Sequence, residues 1–161
     1  MAEVVSVSTS RLMPSDIRAL VTYLRSVPAS SNDEPAPIRT AAASESPREP
    51  TGETNPLGEK LFAGACAGCH AWSGVSPLSD LATLTATRGV NDPHAINAAQ
   101  IVISGSGPRV QSGALAMPAF GAAYSDTEIA ALVNYVTGRF GATPSQLHAA
   151  EIAKLRQATA D

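Results

Sequence analysis

A chain of 161 residues, 44% hydrophobic and carrying a net charge of −3, has room for one domain with appendages. Its charge divides as +1 over residues 1–27, −3 over 28–54, −1 over 55–141 and zero beyond; without a basic stripe to neutralise phosphates, nucleic-acid binding is excluded as a class. No run approaches the roughly 18–20 apolar residues of a transmembrane helix, and no signal peptide is visible in these residues.

Six of the seven aromatic side chains (Phe62, Trp72, Phe120, Tyr124, Tyr135, Phe140) fall between residues 55 and 141, so the folded unit is expected there. Residues 1–13 show no clear cap or period. From Ser15, the spacing of Ile17, Leu20, Val21 and Leu24 predicts one apolar face of a helix that Pro28 stops. Residues 28–54 hold five prolines among Ser, Ala, Glu and Thr. Such a segment has too little apolar surface to offset its ordering entropy, and it reads as a flexible acidic linker.

Asn55-Pro56 predicts an N-cap followed by Pro at the first helical position. The helix that follows carries Gly58, Leu61 and Phe62 toward residue 66. Residues 71–93 are loop-rich, with a short Leu78/Leu81/Leu84 period, and Ala95–Ser104 reads as a helix ended by Gly105. Residues 105–124 form an irregular loop with four glycines and two prolines. Ser125 with Glu128 makes a capping box for a helix through Ile129, Leu132, Val133 and Val136, which Gly138 is expected to close. Thr143-Pro144-x-Gln146 offers a start for one more short helix over 144–157, with a weak apolar face. Asp16-Ile17-Arg18-Ala19-Leu20-Val21-Thr22-Tyr23 echoes Glu128-Ile129-Ala130-Ala131-Leu132-Val133-Asn134-Tyr135 at a constant offset of 112. The shared Tyr and Ala point to a duplicated element.

Both cysteines lie in Cys66-Ala67-Gly68-Cys69-His70, the C-x-x-C-H spacing of covalent c-type haem attachment. Two thiols three positions apart can each add to a vinyl group on one haem edge, which holds the next imidazole close beneath the iron. A structural zinc site would take a second Cys/His pair, whereas His94 and His148 stand alone. A thioredoxin-like pair would need a βαβ context, which is absent.

The choice of distal ligand separates electron transfer from catalysis or gas binding. Of Met13, Met117, His94 and His148, Met117 is preferred: it sits in a loop rather than on an apolar helix face, and Pro118 limits that loop's freedom. Met13 aligns with Ser125 in the echo and reads as a capping or packing residue. A ligating histidine usually gives its other ring N–H to a backbone carbonyl, and Pro77, seven residues on, is the expected acceptor.

With Gly58-x-x-x-Phe62, Cys66-x-x-Cys69-His70, Ser76-Pro77-Leu78, Met117-Pro118 and Tyr135 in order, residues 55–141 resemble a class I cytochrome c domain. The resemblance implies an all-α fold around one covalent haem c, with Gly58, Phe62 and Tyr135 at the crossing of the first and last helices. It also implies Cys66 and Cys69 as attachment sites, His70 and Met117 as iron ligands, and the Pro77 carbonyl on the proximal ring. Met117-Pro-Ala-Phe-Gly121, the Ser125-Asp-x-Glu-Ile helix start, Asn134-Tyr-Val and Arg139-Phe-Gly141 are similar to the last domain of multihaem cytochrome subunits of membrane-bound alcohol, aldehyde or gluconate dehydrogenases. Residues 15–28 resemble the closing helix of a preceding cytochrome domain, although no second C-x-x-C-H precedes them. The expected organisation is thus an N-terminal helix over 1–27, a linker over 28–54, a haem domain over 55–141 and a tail over 142–161. The expected function is one-electron relay from a periplasmic dehydrogenase toward quinone or an oxidase, in the periplasm or peripheral on the inner membrane, by a subunit that is not itself the enzyme. The alternatives are a stand-alone soluble carrier and a haem enzyme or gas sensor with an open distal position.

Overall fold

The computed structural model describes residues 9–28, 55–106 and 116–160. The expected linker over 28–54 lies almost wholly outside them. The described residues fall into two compact units, one holding 9–28 and the other 55–106 and 117–160.

In the first unit a short 3-10 turn, Thr9–Arg11, leads to α1 (Pro14–Ser26). Met13 is the N-cap, and its backbone N–H donates to the Asp16 carboxylate at 3.2 Å. Pro14 occupies the first helical position, where a missing N–H costs no hydrogen bond. No residue of α1 is buried. Ile17, Leu20, Val21 and Leu24, the expected apolar face, are all exposed, as is Tyr23.

The second unit holds α2 (Pro56–Ala65), α3 (Ala67–His70), a 3-10 turn (Asp80–Ala82), α4 (Arg88–Asn91), α5 (Ile96–Ser104), α6 (Asp126–Phe140) and α7 (Ala149–Ala160). Among the described residues there is no strand, only an isolated antiparallel bridge between Ser106 and Met117. The fold is all-α, as expected.

Its centre is the crossing of α2 and α6. Gly58 makes the crossing possible: a Cβ built there would stand 2.2 Å from the Ala131 carbonyl oxygen and 2.7 Å from the Tyr135 Cβ. The approach brings Phe62 into full burial, with its ring 5.7, 5.6 and 5.3 Å from those of Trp72, Tyr135 and Phe140. Ile129, Leu132 and Val133 are buried beside it. Ser125 caps α6 reciprocally with Glu128. The helix does not end at Gly138; it runs through to Phe140, and Gly141 is the C-cap. The added turn is worth making because it buries Phe140 against Phe62, and one glycine costs a helix only about 1 kcal/mol.

The last helix begins at Ala149 rather than at Pro144, after the His148 N–H has bonded the Glu151 carboxylate at 2.8 Å. The preceding residues are tied to α6 instead. Asn134 donates to the Leu147 carbonyl at 2.9 Å and accepts from Ser145 Oγ and the Leu147 N–H, while Thr137 Oγ1 lies 2.8 Å from Ser145 Oγ. The apolar face of α7 is narrow but used: Ile152 is fully buried and Leu155 packs on the core.

Candidate functional site

The motif sits where α2 gives way to α3. The Asn55 side chain accepts the Gly58 N–H at 3.0 Å, so the cap and Pro56 start α2 as expected. The Cys66 N–H closes that helix on the Phe62 carbonyl at 2.9 Å. The Cys66 carbonyl then accepts from the N–H groups of Cys69 (3.1 Å) and His70 (3.0 Å), placing both cysteines and the imidazole on a single turn. Both thiols are free, Cys66 buried and Cys69 exposed. Burial first, and the neighbouring Cys69 second, push the Cys66 thiol up to about 11.

Ala71, at φ 56°, turns the chain back directly after His70. The returning loop is closed by the Leu84 N–H on the Gly74 carbonyl at 2.8 Å. Its 3-10 turn, capped by Ser79, brings the Ala82 carbonyl to 2.6 Å from His70 Nδ1. A carbonyl can only accept, so Nδ1 is the donor, and in the neutral imidazole that tautomer leaves the Nε2 lone pair for a metal. The expected acceptor was Pro77; the structure gives that place to Ala82, and Pro77 is exposed. The reason is the fold of the loop: the 76–79 turn closes on Ser76, and the chain comes back over the ring only at the 3-10 turn. Ser76 Oγ donates to the Cys69 carbonyl at 2.6 Å and accepts from the Leu78 and Ser79 N–H groups, and its own N–H donates to Thr83 Oγ1 at 3.1 Å. It links the motif turn to the residue beside Ala82.

Met117 stands on a separate segment. Its N–H donates to the Ser106 carbonyl at 2.7 Å and its carbonyl accepts from Ser106 at 3.0 Å, so its backbone is fixed two residues past the end of α5. Its side chain is half-buried and packs against the core with Phe120. Gly105 permits this approach: at φ 75° it turns the chain out of α5, and a Cβ there would meet the Met117 carbonyl oxygen at 2.6 Å. His94 and His148 are exposed, and Met13 lies in the first unit. Among the described residues no cluster of three or more His, Cys, Asp or Glu side chains forms a metal-binding group.

The sequence model of the cytochrome c family matches residues 56–139. The chain belongs to the cytochrome c family. It is 31% identical over 98% of its length to the gluconate 2-dehydrogenase cytochrome c subunit of Pantoea cypripedii, and 28% identical over 97% to the fructose dehydrogenase cytochrome subunit of Gluconobacter japonicus. It is also 31% identical over 81% of its length to a nicotinate dehydrogenase subunit of Pseudomonas putida. The chain spans 36% of each of the first two relatives and 10% of the third.

A cytochrome c domain implies covalent haem c, and the donor set here suits it. The two free thiols share one turn. The adjacent imidazole has one nitrogen engaged by a carbonyl and the other left for a metal, the usual state of a ligating histidine. Sequence reasoning missed Ala82 and the linking hydroxyl of Ser76. The Ser76-Pro77-Leu78 turn was a signal for the second, and nothing in the residue type signals the first.

Proposed function

We propose that this cytochrome c domain carries single electrons between a dehydrogenase and a downstream acceptor, quinone or an oxidase, with haem c attached at Cys66 and Cys69 and His70 and Met117 as iron ligands. The observation that carries this reading is the His70 Nδ1 contact with the Ala82 carbonyl, which fixes the tautomer and orients the ring. When bound, haem c supplies a one-electron iron couple. The protein's part is to hold that couple still. His70 offers Nε2 from a ring locked by Ala82, and Met117 offers a thioether from a backbone pinned to Ser106. A Met/His pair leaves no open position, disfavours peroxide or gas chemistry, and raises the potential. The named roles of the gluconate and fructose dehydrogenase relatives favour a dehydrogenase as donor, and haem attachment of this kind favours a periplasmic location.

We also read α1 as the counterpart of α6 in a second cytochrome unit, joined through residues 28–54 to the haem domain of 55–141. The offset of 112 residues sets the exposed Ile17, Leu20, Val21 and Tyr23 on the positions that Ile129, Leu132, Val133 and Tyr135 bury in α6. The greater length of the relatives supports the same arrangement.

The visible spectrum of the ferric holoprotein tests the ligand assignment. A sulfur-to-iron charge-transfer band that Met117→Ala abolishes is expected. Absence of that band in the unaltered protein, together with rapid carbon monoxide binding after reduction, would mean an open distal site and overturn the electron-carrier reading.

A further inference from the structure

α7 lies beyond the stretch that the family model covers, yet it reaches back to the loop that bears Met117. Arg156 Nε donates to Asp126 Oδ1 at 2.5 Å, and its two terminal nitrogens donate to the carbonyls of Gly121 and Tyr124. A guanidinium presents its donors in one rigid plane, so a single side chain holds three acceptors in fixed relation. The two carbonyls bracket a tight turn. The Ala123 and Tyr124 N–H groups both bond the Phe120 carbonyl at 3.0 Å, and the Phe120 and Tyr124 rings stack 5.5 Å apart at 5°. The turn is also fastened to the end of α5, where the Phe120 and Gly121 N–H groups bond the Val102 and Ile103 carbonyls at 2.9 and 3.0 Å.

Only Pro118, Ala119 and Phe120 separate Met117 from Gly121, and Pro118 has a fixed φ. Slack at residue 121 therefore passes to residue 117 through little chain. The Arg156 end is itself firm: Ile152, one turn earlier, is fully buried, and Gln100 Nε2 of α5 meets the Leu155 carbonyl at 3.5 Å.

We propose that Arg156 is a positioning residue for the distal ligand, a clasp by which α7 holds the 117–124 loop closed and keeps the Met117 sulfur on the iron. The proposal rests on the assignment of Met117 as that ligand. A role confined to docking α7 would change stability alone; a clasp also changes how easily the sulfur leaves.

The test is an imidazole titration of the ferric holoprotein, followed by loss of the sulfur-to-iron band, for the unaltered protein, Arg156→Ala and Arg156→Lys, each with its melting temperature. Partners that orient a metal ligand typically contribute about 10–100-fold to metal-site affinity. Arg156→Ala is expected to bind imidazole about 10-fold more tightly, and Arg156→Lys, which keeps a charge near Asp126 but not the three-way fork, is expected to fall between. Should Arg156→Ala yield too little holoprotein, Arg156→Lys alone decides, with tighter imidazole binding supporting the clasp. Imidazole affinity equal to that of the unaltered protein, with the band present and only the melting temperature lowered, overturns the proposal while leaving Met117 as ligand. A missing band in the unaltered protein refutes the ligand assignment itself.

Discussion

Gly58→Ala puts the α2/α6 crossing to a quantitative test. The added methyl would lie 2.2 Å from the Ala131 carbonyl oxygen, where ordinary contact begins at 3.4 Å, so the helices must part by about 1 Å. Relieving such overpacking typically costs about 1–3 kcal/mol, and the upper end applies because the obstacle is backbone in the middle of a helix. Parting the helices also loosens the Phe62 contacts with Tyr135 and Phe140, each worth about 0.5–1.5 kcal/mol when well made. Against this, Ala is favoured over Gly in a helix by about 1 kcal/mol. The net loss is about 2–3 kcal/mol, which for a domain near 100 residues lowers the melting temperature by about 10–20 °C. Gly64→Ala serves as the control: a Cβ there meets nothing within 4 Å among the described residues, and the same helix should gain a few tenths of a kcal/mol to about 1. Thermal unfolding of the two holoprotein variants by circular dichroism measures both. A Gly58→Ala protein that melts within about 2 °C of the unaltered one refutes the claim that this contact sets the crossing.

Three further outcomes are expected. Ser76→Ala leaves the Leu78 and Ser79 N–H groups and the Cys69 carbonyl short of a partner, and denaturant unfolding should show a loss of about 1–3 kcal/mol; an unchanged midpoint would mean that water replaces the hydroxyl. In the haem-free protein at pH 8, iodoacetamide should modify exposed Cys69 well before Cys66, whose burial raises its thiol to about 11, as read by peptide mass mapping; equal rates would contradict the buried geometry. The capping hydrogen bonds from Ser125 hold the Glu128 carboxyl below its usual range. A carboxyl depressed in the folded state contributes stability above its unfolded pKa and loses it as pH falls through the folded one. Glu128→Gln should therefore melt lower at neutral pH, with the gap closing on acidification; a gap independent of pH would place the effect elsewhere.

What was legible in the sequence was local. Asn55-Pro56 and Ser125-x-x-Glu128 are self-contained caps whose partners lie three residues away, and the structure forms both. The C-x-x-C-H turn needs only its own helical hydrogen bonds. What was not legible depends on contacts distant in sequence. Gly138 looked like a stop because glycine disfavours helix, but the decision was made by Phe62, whose ring rewards burial of Phe140. Thr143 and Pro144 resemble a cap, yet α7 starts later because the intervening residues are claimed by Asn134 and Thr137 of α6. Leu78, Leu81 and Leu84 suggested a face, yet Leu81 is exposed on the 3-10 turn. Arg156 is one of many surface-type cations until α7 is folded against the loop.

The partner of His70 has a further consequence for how this site can vary. The acceptor at Ala82 is a main-chain oxygen, which every amino acid possesses. A side-chain scan across residue 82 would leave the interaction intact and report the position as unimportant, and a lineage could drift there freely without disturbing the imidazole. What is exposed to mutation is the path of the loop, through Gly74, Ser76 and Ser79. Inherited damage to the imidazole's orientation would therefore map to residues that never touch it.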